Sequence, residues 1–156
     1  PQQLEQVEIA WIVLPTDFDD VEMVYNALSE GAPFDGVAQR LNTETYFSDV
    51  RRPGYVGWVP QMVFPYLDPY LFGTQAQEGA IVGPVFTRNG IYIIKLISGL
   101  ELREIDNRKI HERLKDAYLQ RWIDTQWAQS EVEIRFTSQD YDWVLDWVTE
   151  NTRSID

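Results

Sequence analysis

The chain has no cysteine and one histidine, His111. Its chemistry therefore has to come from carboxylates, hydroxyls and aromatic rings rather than from a thiolate, a disulfide or a multi-histidine metal site. His111 stands in RKIHERLKD, a charged helical stretch, and reads as an exposed helix residue. The acidic run Asp17-Phe18-Asp19-Asp20 invites a calcium reading, but it lacks the ligand spacing and the glycine of an EF-hand loop. A solvated turn that caps the next helix is the reading it supports. A more pointed feature is Tyr92 in GIYIIKL, an aromatic hydroxyl inside an otherwise aliphatic strand. From the pattern alone, Tyr92 is either core or the mark of a site on its strand.

The elements that would carry these residues follow from periodicity. VEIAWIVL, residues 7–14, reads as a buried strand ended by Pro15. Val21, Val24, Tyr25 and Leu28 fall on one helical face, and Gly31 closes that helix. Phe34, Val37, Ala38 and Leu41 repeat the spacing on a second, short helix. Residues 42–53 have no period and read as a loop. GYVGW, residues 54–58, reads as a short strand whose glycines admit close backbone approach. Residues 65–72 suggest one or two helical turns.

Residues 83–99 then form two strands around Arg88-Asn89-Gly90, since Asn-Gly is a strong hairpin signal. A long helix is predicted over 106–130, a short extended piece over 132–136, and a last helix capped by Ser138. Tyr141, Trp143 and Trp147 in that last helix either form an exposed patch or fold back on the long helix. Adjacent strands at the end of the order require antiparallel pairing, which predicts a small α+β domain.

The balance of 13 basic against 25 acidic residues gives a net charge of −12. That field repels a phosphate backbone, so nucleic acid is not an expected partner, and it disfavours an anionic membrane surface. No apolar run approaches the length of about 20 residues that a membrane-spanning helix needs. Six Trp, eight Tyr and seven Phe supply ample surface for a core or a groove.

Three stretches, taken in order, resemble the parvulin-type peptidyl-prolyl isomerases, particularly bacterial extracytoplasmic foldases of the SurA and PrsA kind. They are VEIAWIVL, then FDGVAQRLN with GYVGWVPQM and FPYLDPYLFG, and finally EGAIVGPVFTRNGIYIIKL. The resemblance covers residues 6–98. It implies a four-stranded antiparallel sheet surrounded by helices over 6–100, with a C-terminal helical extension over 101–156.

The resemblance also implies a site. A proline pocket falls on Val56, Met62 and Tyr66, with Trp58 and Phe86 in support as core residues. Thr87 takes the family's threonine position before the hairpin turn and belongs to its polar network. Trp11 and Tyr92 stand where the family has paired histidines; Trp can only donate a hydrogen bond, whereas Tyr can donate or accept. The acidic position falls on Glu44, with Asp49 as the alternative.

The implied activity is isomerisation of X-Pro bonds in unfolded or extended polypeptides, with no cofactor and no metal. Retention of the groove without turnover, as a chaperone module, is the competing reading, and a spacer domain in a larger protein is the third. The resemblance further implies an extracytoplasmic setting and a longer, exported or anchored protein around this segment.

Overall fold

The structure, a computed structural model, describes residues 3–73 and 76–130. The predicted extended piece at 132–136 and the last helix with Tyr141, Trp143 and Trp147 lie outside the described residues. Among the described residues, four strands and four helices follow one another as β1 (Leu4–Leu14), α1 (Val21–Ser29), α2 (Phe34–Leu41), β2 (Tyr55–Pro60), α3 (Asp68–Leu71), β3 (Ile81–Thr87), β4 (Gly90–Arg103) and α4 (Arg108–Gln129). All strand pairs are antiparallel, and the sheet order is β2-β1-β4-β3.

The first and last strands are thus the centre of the sheet. Both carry almost unbroken apolar runs because both of their faces are covered. On one face Ala10, Ile12, Leu14, Ile91 and Ile93 meet the apolar stripes of α1 and α2. On the other, Ile9, Trp11, Val13, Tyr92, Ile94 and Leu96 meet β2, the segment around α3, and α4.

Local chemistry sets the joints between elements. Asp20, the last residue of the acidic run, caps α1 by accepting from the Met23 backbone N–H at 3.3 Å. Gly54 has φ +77°, and a Cβ there would lie 2.5 Å from the Trp11 carbonyl oxygen. The close approach is used, because Trp11 N–H donates to the Gly54 carbonyl at 2.8 Å and ties the start of β2 to β1.

Two differences from the sequence reading matter for the site. The helix predicted over 65–72 is only one turn, Asp68–Leu71, preceded by turns that aim aromatic residues at the sheet. The domain boundary also moves. The chain divides into two compact units, Pro1–Arg121 and Trp122–Asp156, where a division near residue 100 was expected. β4 runs on to Arg103, and Ile110 and Leu114 of α4 are buried in the aromatic-rich side of the core. Their apolar area is covered only if the first half of α4 stays with the sheet. Among the described residues, no helix is long and apolar enough to cross a membrane.

Candidate functional site

A cavity of about 500 Å³ opens on the α4 side of the sheet. Its floor is β1 and β4, through Trp11, Val13 and Tyr92; one wall is the loop after α2, and another is α4. The loop is held by side chains rather than by secondary structure. Asn42 Oδ1 accepts from Val13 N–H at 2.8 Å, and Thr43 Oγ1 donates to the Val13 carbonyl at 2.8 Å. These bonds strap the end of α2 onto β1, and they bring Glu44, Tyr46 and Phe47 over Trp11. The Glu44 carboxylate accepts from the N–H of Tyr46 at 2.7 Å and of Phe47 at 3.2 Å, so it sets the shape of the loop it belongs to. Lys109 from α4 closes the same wall, donating to the Tyr46 carbonyl and lying 4.7 Å from the Tyr46 ring centre.

The floor is an aromatic cluster. Trp11 packs edge-on against Phe64 at 4.9 Å and Tyr92 at 5.4 Å between ring centres. The Tyr66 and Tyr92 hydroxyls are 3.3 Å apart, and either can donate. Burial pushes the Tyr92 phenol well above its usual value; the Tyr66 hydrogen bond and the Tyr66 and Glu44 charges add to the shift. Tyr92 is therefore a neutral hydroxyl throughout the physiological range. The Trp11 indole N–H is buried and has no hydrogen-bond partner among the described residues. Leaving such a donor unmade costs about 1–3 kcal/mol.

Four of the residues singled out from sequence, Trp11, Glu44, Tyr66 and Tyr92, line this one cavity. The others do not. Asp49 is exposed and bonds its own loop, accepting from Arg51 N–H at 2.8 Å, so of the two carboxylates it is Glu44 that faces Tyr92. Val56 is closed over in the core at 3% exposure.

Met62 takes a left-handed backbone, φ 73°, with its N–H donated to Asp68 Oδ2 at 2.9 Å and the Arg121 guanidinium 3.5 Å from its sulfur. Met62 and Tyr66 both pack against the core cluster that contains Val56, and neither Val56 nor Met62 lines the cavity described above. Trp58 pairs across the sheet with Glu8 and carries the Arg103 guanidinium 4.3 Å from its ring centre. Thr87 donates to the Gly90 carbonyl at 2.8 Å and accepts from Asn89 N–H, so it closes the hairpin. Phe86, expected as supporting core, is 70% exposed. It borders a separate groove of about 400 Å³ with Tyr66, Tyr70 and Thr87.

Sequence reasoning missed Phe47, Phe64 and the cavity-facing residues of α4. The available signal was Asn42-Thr43 directly after a helix, a pair that bonds neighbouring backbone. Nothing in the periodicity of α4 says that it turns back over the sheet.

No family model and no curated protein matches the sequence. Solved structures do. The peptidylprolyl isomerase PrsA from Bacillus anthracis is 21% identical, with a TM-score of 0.55 over 76% of this chain and 52% of its own. A PpiC-type peptidyl-prolyl cis-trans isomerase domain is 22% identical, with a TM-score of 0.52 over 64% of this chain and 94% of its own. This is the parvulin-type fold. PrsA from Bacillus cereus aligns similarly, with 17% identity and a TM-score of 0.54. The chain spans about half the length of the PrsA structures and nearly all of the PpiC-type domain. The parvulin-type architecture expected from the three ordered stretches is thus the one observed, a four-stranded antiparallel sheet flanked by helices.

Proposed function

We propose that the sheet domain is a peptidyl-prolyl cis-trans isomerase that acts on X-Pro bonds in extended segments of exported polypeptides. The observation that carries this reading is the meeting of the Tyr92 and Tyr66 hydroxyls on the aromatic floor of one cavity. Rotation about an X-Pro bond faces a barrier of about 18–20 kcal/mol, because the amide loses its resonance on the way. No bond is made or broken, so the reaction asks for neither nucleophile nor cofactor.

It asks for a site that binds the twisted amide better than either planar form. Twisting localises a lone pair on the prolyl nitrogen and makes it an acceptor. A fixed donor against a low-dielectric wall then favours the twisted state. The Tyr92–Tyr66 hydroxyl pair supplies such a donor, and a hydroxyl can equally accept. Glu44 acts here as a positioning residue, holding the loop wall.

A second reading is supported by one specific observation. The Glu44 carboxylate is already engaged by the N–H groups of Tyr46 and Phe47. A cavity whose loop-wall carboxylate is committed in this way suits a module that holds extended polypeptide without turning it over. Exchange NMR on short X-Pro peptides separates the two. Isomerase activity predicts cis–trans exchange that accelerates in proportion to protein concentration. Shifts of the Tyr66 and Tyr92 resonances without any acceleration would leave binding alone.

A further inference from the structure

The cavity, the Phe86 groove and a third cleft of about 550 Å³ form a chain. Cavity and groove share Tyr66 and Asn89, and groove and cleft share Tyr70. Groove and cleft are bordered by every residue from Ile81 to Asn89 in turn. Successive residues of a strand point to opposite faces, so a depression that touches all of them lies along the strand's edge, not over one face. β3 has such an edge, since it pairs only with β4 among the described residues. The edge is flanked by exposed apolar surface, with Phe86 70% and Tyr70 44% exposed. The exposed Pro84 stands on the same strand, and Tyr25 of α1 borders the far end.

From this geometry we infer that β3 is a docking edge for an extended apolar stretch of the polypeptide whose X-Pro bond enters the cavity. The segment adds to β3 as a further strand, and its alternate side chains lie against Phe86 and Tyr70. Continuity through Tyr66 and Asn89 makes the occupant the same chain that fills the cavity. Pro84 has no N–H and the register shifts between Val82 and Val85, so the open backbone lies mainly along residues 85–87 beside the Phe86 groove. There an unpaired edge offers backbone hydrogen bonds to any sequence, and flanking aromatic surface selects apolar side chains. β3 runs from the hairpin beside the cavity to Ile81 at the far cleft, with an irregularity between Val82 and Val85. A client would therefore be read well beyond its proline. This inference rests on the cavity being the X-Pro site.

The test uses the whole 156-residue chain and three synthetic peptides. The first is about twelve residues long, enough to span cavity and strand at about 3.3 Å each, with one X-Pro bond and an apolar flank. The second replaces the flanking apolar residues by Ser. The third is a bare X-Pro tetrapeptide. The apolar peptide is expected to bind about tenfold tighter than its Ser twin, with amide shifts along Ile81–Arg88. That ratio should collapse toward one in a Tyr70→Ala, Phe86→Ala double variant, whose side chains are both exposed.

Equal affinity of the twins, or shifts confined to the cavity, would overturn the docking edge whatever the tetrapeptide does. Conversely, failure of the tetrapeptide to show accelerated exchange would count against the isomerase reading. Twin discrimination that persisted in that case, and was lost in the double variant, would still support β3 as a polypeptide edge.

Discussion

The two faces of the sheet are built from the same two central strands and could hardly differ more. Toward α1 and α2 the core is aliphatic, with Ile12, Leu14, Ile91 and Ile93 packed on Val24, Leu28 and Val37. None of its buried residues borders any of the cavities described above. Toward α4 the core is aromatic and incomplete: Trp11, Phe64 and Tyr92 leave a cavity, a buried N–H has no partner among the described residues, and two hydroxyls meet over the floor. Branched aliphatic side chains interlock to high density and leave no room for a guest. Flat rings meeting edge-on leave gaps at their rims, and their polar tips give those gaps direction. One face holds the fold, and the other has the makings of a site.

The sharpest break of that contrast is Ile93→Ala. Ile93 is wholly buried on the aliphatic face, so its truncation is expected to cost about 2–5 kcal/mol of stability in urea unfolding. A loss under about 1 kcal/mol would mean that this face is not the structural one.

Tyr92→Phe comes next. It removes one hydroxyl from a 3.3 Å pair, with an expected stability loss of about 0.5–1.5 kcal/mol and a change in turnover with little change in peptide affinity. The same variant carries a pH signature. The folded phenol titrates above the unfolded value near 10. Its contribution is therefore complete below about pH 10, and it is lost as pH rises from there toward the folded value. Stability measured across that alkaline range should fall less steeply in Tyr92→Phe than in the parent chain. Identical slopes would show that the hydroxyl is not shielded as its burial implies.

The smallest effect on stability belongs to Phe86→Ser. At 70% exposure the change is expected to stay within about 0.5 kcal/mol. Its signature is weaker binding of the apolar-flanked peptide. A large destabilisation would return Phe86 to the core role expected from its strand.

Much of the frame was legible in the residues themselves. Strand and helix periods placed β1, α1, α2 and the β3–β4 hairpin, because each buries its own local stripe. α4 was placed too, although it buries only Ile110 and Leu114 and leaves Tyr118 and Trp122 exposed. The acidic run was rightly read as a helix-capping turn, because Asp20 acts on a neighbour three residues away. The choice between Glu44 and Asp49 was not legible. Both sit in a loop without period, and only the strapping of Asn42 and Thr43 to Val13 turns Glu44 toward Tyr92. Val56 and Met62 were expected to open a pocket with Tyr66. Residue type gives no measure of depth, and Val56 ended in the core.

The sequence by itself determined the alternation of elements, the antiparallel pairing and the kinds of side chain available for chemistry. These depend on contacts within a few residues or on the demand that every apolar stripe find cover. The tertiary structure alone decided which side chains share a cavity, that α4 supplies one of its walls, and that β3 ends the sheet among the described residues. Those outcomes rest on contacts between residues far apart in the chain, such as Trp11 with Tyr92 and Tyr46 with Lys109. Periodicity carries no record of such meetings, so Tyr92 could be read as core or as site until the ring beside it was known.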